Sequence, residues 1–576
     1  MTEKNDIEKV RHSLSHILAA AVVEMFPEAK LGVGPAIENG FYYDFDLPRT
    51  LIPEDLPILE EKMKKIIAGD FVFESKKEPK DKTISFFGKI GQSYKKELAE
   101  KIEDKDMTIY DIKDEKSGKV IFADLCAGPH IESTKDLKNV GWKLDKIAGA
   151  YWLGNEKNKM LQRIYGLAFE SRDELKKYEQ MMIEAAKHDH KKLGKELDLF
   201  SFHPEAPGMP FWHEKGMAIW NQLEKLGKSI RKKYGYIEIK TPLLAKNSLW
   251  IASGHWDHYQ DGMFTFNVGD DIYGLKPMDC PFNIKIYQTK QRSYRDLPIR
   301  YTEIGRNHRK EQSGELNGLL RVQEITQDDS HIFLKEDQVA EEISNLLKMV
   351  KEFYSKLKIE PEFFLSTRPD DGFIGEIATW DKAEDDLRNA LKSEGIKYEL
   401  KDKDGAFYGP KIDVNIKDVF GRSWQLATIQ LDFQLPGRFN CEYIDENGEK
   451  KTPVLIHAAA FGSFERMIGI LVEHFGGVFP TWLAPIQAQI LPIADRHLEY
   501  AEKIKKELQD EGIRVSVDDR TESIGKKIRE AEMQKIPFML IIGDKEIEAK
   551  KVSIRKYGEG DKGQVEIDDL IAEINA

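Results

Sequence analysis

Cysteine is scarce in this sequence. There are three among 576 residues, Cys126, Cys280 and Cys441, each more than a hundred positions from the next. An odd and dispersed set excludes a disulfide framework and fits a reducing compartment. Long apolar runs are missing as well. The longest near the start, residues 17–23, is far short of the ~20 residues that cross a bilayer. The N-terminal MTEKNDIEKVRH is charged and has no signal core. No membrane partner is expected, and the expected location is the cytoplasm. Positive charge is not in surplus either: 87 Lys+Arg stand against 100 Asp+Glu, a net of −13. That excludes a general polyanion binder but leaves room for a local basic patch on a phosphate backbone. No Gly-x4-Gly-Lys-Ser/Thr loop occurs, so a Walker-type nucleotide site is unsupported. There is no internal repeat and no low-complexity tract.

What is present reads as globular, with 41% hydrophobic and 32% charged residues. At about 150 residues per domain, three or four domains are expected. Residues 7–26 read as an amphipathic helix ended by Pro27. Strand-like runs and Lys-rich helices follow to about 170. SRDE at 171–174 is a capping box that opens one charged helix running to about Leu197. Residues 199–480 alternate aromatic strands with helices. Residues 481–576 read as strand, helix, strand, helix, strand, a small parallel α/β unit. The assigned parts are therefore 1–170, 171–198, 199–480 and 481–576.

Few motifs carry chemistry. GEGDKG at 558–563 has the spacing of a dinucleotide fingerprint, but no helix follows it, so it reads as a hairpin turn. His12 and His16 share a helix face. They are separated by Ser-Leu-Ser, which lacks the Glu of a zincin. Asp124, Cys126 and His130 surround a Gly-Pro turn. The four residues His12, His16, Cys126 and His130 form either one metal-binding or hydrolytic site, or a buried histidine helix and an unrelated turn. Residues 292–321 hold seven Arg/Lys and four Asp/Glu, a local +3. Arg306, Arg309 and Arg321 flank the turn-rich EQSGELNG, as a phosphate site or as a solvated hairpin. GSFER at 462–466 opens an apolar helix with Arg466 in its first turn. A cation there is unfavourable unless an anion sits beside it.

These elements also occur together in a known family. YTEIGRNHRKEQSGELNGLLRVQEITQDDSHIF resembles motif 2 of class II aminoacyl-tRNA synthetases, and GSFERMIGIL resembles motif 3. YGYIEIKTPLLAKNSLW resembles motif 1, with Pro242 as its proline. PGMPFWHEKG, SGHWDHY, LKPMDCP, GAFYGPKID, ATIQLDFQLP and VLIHAAAFGSFER narrow the resemblance to the threonyl-tRNA synthetase family. HSLSHILA, DLCAGPH and AGAYWLGNEKNKMLQRIYG resemble that family's N-terminal editing domain. The resemblance spans nearly the whole chain, in family order.

The resemblance implies a multidomain α/β (α+β) fold: an N-terminal α+β editing domain, a six-stranded antiparallel class II catalytic sheet with helices, and a C-terminal α/β anticodon-binding domain. It implies activation of L-threonine with ATP to threonyl-adenylate, then transfer to the 3′ end of tRNA(Thr). Arg309 would contact the α-phosphate and Glu311 the adenine amino group. Arg321 and Arg466 would hold the β- and γ-phosphates, and Mg²⁺ would accompany ATP. One Zn²⁺ per subunit would sit on Cys280, His331 and His457, 51 and 126 residues apart, an interval no spacing rule reveals. Asp329 would receive the amino group of threonine, with Met278, Gln327, Tyr408 and Gln430 lining the pocket. Lys411 would neutralise carboxylate or phosphate charge, and His255 would assist transfer to the tRNA ribose. Motif 1 implies a homodimer.

The same chemistry accounts for an editing domain. A site built around a hydroxyl rejects valine by roughly 10⁴ or more, whereas serine, one methyl smaller, is rejected only ~10–200-fold. Mischarged Ser-tRNA(Thr) must then be hydrolysed elsewhere. His12, His16, Cys126 and His130 are the implied editing residues, with Asp124, Lys95 and Tyr43 on further family positions. The resemblance implies water activation without metal, although zinc could still bind the four adventitiously. The sequence starts at the editing domain and reads as a form without the family's small N-terminal ubiquitin-like domain. LKPMDCPFN departs from the family's Met-Asn-Cys-Pro-Gly-His at Asp279 and Phe282, which puts the local loop in question. Cys441 reads as structural. Three rivals are weighed: a prolyl-type class II synthetase, a catalytically silent RNA-binding or regulatory paralogue, and an editing-only hydrolase. Retention of the zinc and editing sets and of Arg309 and Arg466 speaks against each.

Overall fold

The structure is a computed structural model and describes residues 2–155 and 157–575. The chain divides into two compact units, Met1–Ile183 and Glu184–Ala576.

In the first unit the helix Thr2–Met25 stops before Pro27, which cannot continue it. Leu14, Ile17, Leu18, Ala21 and Val22 are fully buried against the strand Gly40–Asp46 and its neighbours. That strand sits in a five-stranded antiparallel sheet with Lys30–Leu31, Ala36–Ile37, Met160–Phe169 and Gly141–Tyr151. A second antiparallel sheet joins Phe71–Pro79, Asp106–Asp114 and Val120–Leu125.

The single charged helix expected over 171–197 is two helices, Arg172–Lys187 and His190–Glu196. At the start the Ser171 half of the capping box is seen, with Ser171 Oγ accepting the Glu174 N–H. The break comes at Asp189, whose carboxylate caps the second helix by accepting from the N–H groups of Lys191 and Lys192.

The second unit is built on an eight-stranded sheet. Its spatial order is Ile237–Glu238, Ile299–His308, Glu324–Leu334, Val454–Ser463, Ser423–Asp432, Lys411–Lys417, Glu362–Ser366, Tyr398–Lys401. The six central strands are antiparallel to their neighbours, as expected. The two edge strands pair in parallel and extend the sheet to eight. One face packs on the helices Glu214–Lys233, Val339–Leu357 and Phe464–His474, whose apolar stripes form the largest core. The other face carries the polar residues described below.

Within the same unit the C-terminal segment has three parallel strands, Ala488–Pro492, Val515–Val517 and Phe538–Ile542, as the sequence pattern requires. An antiparallel hairpin, Val552–Lys556 with Gly560–Val565, extends that sheet. GEGDKG lies in this hairpin, which gives its glycines a turn rather than a cofactor to serve.

Candidate functional site

The central sheet aligns its polar side chains by register. Lys411 pairs with Gln430, Gln430 with His457, and His457 with His331, so four adjacent strands present one row. Along Glu324–Leu334 the two-residue period puts Gln327, Asp329 and His331 on the cavity face, whereas Asp328 turns away and pairs with Arg231. The cavity above the row is about 610 Å³. Its walls include Met278, Cys280, Gln327, Asp329, Tyr408, Lys411, Gln430 and His457 at one end. Arg309, Glu311, Arg321 and Arg466 line the other end, and His255 stands at the wall. Every catalytic-domain residue to which the resemblance gives a role is therefore in this cavity or, like His331, beside its lining; Arg306 is not, being exposed and paired with Glu324 at 3.5 Å.

At the cationic end Arg466 is held from two sides. Its Nε donates to Leu320 O at 2.8 Å and its Nη1 to Gln425 O at 2.6 Å. Burial, with Arg309 and then Arg321 nearby, pushes its guanidinium down to about 10. Ser463 caps the helix Phe464–His474 through the Arg466 N–H. Gly462, at φ +76°, makes the turn, and a Cβ there would strike the Leu426 backbone. Arg321 is occupied by carboxylates, Glu311 at 2.9 Å and Glu315 at 3.0 Å. Three convergent guanidinium groups of this kind are a receptor for a polyanion, because an incoming anion relieves their mutual repulsion.

At the other end Cys280, His331 and His457 bring one donor atom each within 4.8 Å of one another. Neither nitrogen of the buried His331 has a hydrogen-bond partner. His457 Nε2 is 2.8 Å from Asp432 Oδ2, and its Nδ1 is unpartnered. Orphaned buried donors are costly unless something fills the gap between them. Burial, together with the His457 and Lys276 charges, holds the His331 imidazole well below its usual value and leaves it neutral, with a lone pair to give. Burial and the Asp329 and Asp279 charges push the Cys280 thiol up, a preference that a dication would reverse. One thiol and two imidazoles, one of them backed by a carboxylate, suit zinc with an open position.

Around this triad Tyr408 Oη donates to Gln430 Oε1 at 2.6 Å, and Asn307 Nδ2 donates to Gln327 Oε1 at 2.8 Å. Burial and the Asp279 charge push the Asp329 carboxyl well up, so a cationic group is favoured beside it. Asp279, one of the two departures from the family pattern, is buried. It pairs with Lys276 at 2.5 Å and accepts from Asn307 Nδ2 at 3.0 Å. Phe282 fills an apolar cluster with Trp250 and Met263. Lys411 Nζ lies 2.9 Å from Asp413. The ring of His255 lies against Phe407, with its Nδ1 2.8 Å from Ser253 Oγ.

The first unit holds a second cluster. His12, His16, Cys126 and His130 also lie within one metal-sized group. Here, however, the donors satisfy one another. His12 Nδ1 is 3.2 Å from Pro129 O, and Cys126 Sγ is 3.2 Å from His12 Nε2 and 3.4 Å from His130 Nε2. His130 Nδ1 is 3.1 Å from Ser13 Oγ. His16 Nδ1 is the exception, buried and unpartnered. Burial lowers all three imidazoles and pushes the Cys126 thiol up to about 11. Asp124 anchors the floor: it accepts from Tyr43 Oη at 2.5 Å, pairs with Lys95 at 2.6 Å, and lies 3.7 Å from His16 Nε2. All seven residues singled out for this site are brought together. The set resembles a neutral acid–base site more than a cation trap.

Three parts of the chain match known protein families. Residues 264–475 match the tRNA synthetase class II core domain (G, H, P, S and T), and 487–576 the anticodon binding domain. Residues 107–165 match the threonyl and alanyl tRNA synthetase second additional domain. The threonine–tRNA ligase of Clostridium tetani is 48% identical over 566 residues, 98% of this chain and 87% of that protein. That of Caldanaerobacter subterraneus is 50% identical over 564 residues, 98% and 86% respectively. The chain belongs to the threonine–tRNA ligase family. A solved structure of the RNA binding domain of threonyl-tRNA synthetase from Cryptosporidium parvum is 40% identical with a TM-score of 0.65, covering 67% of this chain and 98% of that one. A putative threonyl-tRNA synthetase from Aeropyrum pernix is 28% identical with a TM-score of 0.60, covering 67% and 95%.

Family resemblance and residue reading both passed over the support beneath the site. Asp432 and Asn307 hold His457 and Gln327 through their side chains, yet each is an ordinary polar residue in a strand pattern, and Gln425 holds Arg466 only through its backbone carbonyl. Asp432 lies two residues beyond Gln430 on the same face, which is the signal that could have found it. Cys441 is buried among Leu435, Phe439 and Tyr443, a structural position for this member of the family as for any globular chain.

Proposed function

We propose that this protein activates L-threonine with ATP, transfers it to the 3′ end of tRNA(Thr), and hydrolyses Ser-tRNA(Thr) in its N-terminal unit. The observation that carries the reading is one cavity with a three-arginine end and an end where Cys280, His331 and His457 converge. The polyanion and the hydroxy amino acid thus meet in a single 610 Å³ space. The working division is 1–170 for editing, 171–198 as connector, 199–480 for catalysis and 481–576 for the anticodon. The family segments 107–165, 264–475 and 487–576 fall inside these parts.

Arg309, Arg321 and Arg466 receive the phosphates, with Mg²⁺ accompanying ATP, and Arg321 exchanges its carboxylate partners for them. The threonine carboxylate attacks the α-phosphorus, the α–β bridging P–O bond breaks, and pyrophosphate leaves. Arg466 is already fixed by two carbonyls, so its charge needs no reorganisation as the transition state forms. Lys411 offsets the negative charge of carboxylate and phosphate. Asp329 binds the ammonium, while Tyr408 and Gln430 hold each other across the pocket floor. Cys280, His331 and His457 would hold a zinc ion, which would supply a Lewis-acid position that favours a hydroxyl over a methyl. His255 then assists attack by the tRNA ribose. In the N-terminal site His16, with its free nitrogen, stands ready to hold a water. Ile237 on the sheet-edge strand is 54% exposed, which supports a second copy of the chain as the partner there. No described helix is long and apolar enough to cross a membrane, which supports the cytoplasm as the place of work.

The test is charging of a bacterial tRNA pool by the intact protein, one labelled amino acid at a time. Threonine is incorporated and proline is not. Folded protein that charges with another amino acid but not with threonine overturns the reading. Arg466→Ala separates the two activities. Threonine-dependent ATP–pyrophosphate exchange falls about 10²–10³-fold, while deacylation of Ser-tRNA stays at the wild-type rate. Equal loss of both would contradict the assignment of Arg466 to phosphate alone.

A further inference from the structure

We propose that His190, which touches no substrate and lies outside the cavity, is a positioning residue for the arginines that grip ATP. The proposal rests on the ATP reading above. His190 begins the short connector helix His190–Glu196 and is fully buried. Its Nδ1 is 2.7 Å from Glu473 Oε1, and its Nε2 is 3.1 Å from the backbone nitrogen of Leu319. The backbone N–H can only donate, so Nε2 accepts and Nδ1–H donates to Glu473. A single tautomer satisfies both neighbours, and the ring orientation is thereby set.

The residue it grips stands at the root of the phosphate site. Leu319 donates to His190, Leu320 accepts from Arg466 Nε at 2.8 Å, and the next residue is Arg321. Leu319 and Leu320 are themselves fully buried. Glu473 and Arg466 both belong to the helix Phe464–His474, seven residues apart. That helix therefore clamps the segment twice, directly through Arg466 and indirectly through Glu473 and His190. Gly318, at φ +53°, lets the loop come this close, because a Cβ there would collide with His190 Nε2. Lys191, beside His190, also reaches the loop at Asn317 Oδ1, 3.2 Å away. A histidine that merely filled the core would have no need to spend its only acceptor on this backbone.

Calorimetric titration with ATP reads the effect without needing the reaction. His190→Asn keeps a donor near Glu473 but removes the acceptor for Leu319. His190→Gln puts an amide oxygen near the Nε2 position and keeps that acceptor. The Kd for ATP rises about tenfold in His190→Asn, the loss of one buried hydrogen bond, and no more than about twofold in His190→Gln. The Kd for threonine is unchanged in both. Gly318→Ala, which presses on the same contact from the loop side, weakens ATP in the same selective way and stands in should His190→Asn fail to fold. Equal losses in the Asn and Gln variants, equal losses for ATP and threonine, or unchanged ATP binding in the folded variants would overturn the proposal. Threonine-dependent exchange by the wild type, run in parallel, tests the underlying reading separately.

Discussion

His331→Ala leaves a folded protein that no longer activates threonine. The reason is geometric. His331 is the only one of the three donors with both ring nitrogens unpartnered. Alanine there removes a ligand without breaking any hydrogen bond described for that ring. Asp432→Asn gives the graded counterpart. Asp432 orients His457 through a 2.8 Å contact, and loss of such an outer partner costs about 10–100-fold in metal affinity or activity. Loss of the ligand itself must exceed that ~100-fold ceiling. The measurements are zinc content per chain and threonine-dependent ATP–pyrophosphate exchange. Full exchange by His331→Ala at normal zinc content would remove this histidine from the ligand set.

The second large effect lies in the other unit. His16→Ala leaves Thr-tRNA formation intact and lets Ser-tRNA accumulate, because acid–base help of this kind is worth about 10²–10⁴-fold. His16 is chosen because its Nδ1 has no partner while its ring rests against the Asp124 carboxylate, which Tyr43 and Lys95 hold in place. The neighbouring His12, Cys126 and His130 spend their donors on one another. Deacylation should therefore survive a chelator that strips the catalytic domain. Unchanged deacylation of Ser-tRNA by His16→Ala would sink the editing assignment. Deacylation that fails with the chelator would instead make the cluster a metal site.

Much of this was legible before the fold was known, and the reasons differ by residue. Gln327, Asp329 and His331 were read only through the family resemblance; the strand Glu324–Leu334 then puts them on one face and turns Asp328 away. Arg466 was legible as a cation at a helix start, which asks for an anion. The cluster of Cys280, His331 and His457 was not legible from spacing. Cys280 starts a helix, and His331 and His457 meet only because two strands distant in sequence pair in register. The break at Asp189 was hidden because its flanks are helix formers on both sides, so charge patterning ran straight through the cap. The edge strands that make six into eight are two and four residues long, too short for any periodicity to show. His190 was invisible for another reason. Its role depends on a backbone N–H far along the chain, and no side-chain pattern reports one.

The central claim is that a metal-dependent threonine pocket and a phosphate-gripping cavity are one site. Amino-acid-dependent ATP–pyrophosphate exchange with threonine, serine and valine, before and after zinc is stripped by a chelator, tests it most directly. The account predicts strong exchange with threonine, weaker with serine and almost none with valine, with loss on chelation and recovery on adding zinc back. Exchange that is indifferent to chelation, or as strong with valine as with threonine, would contradict it.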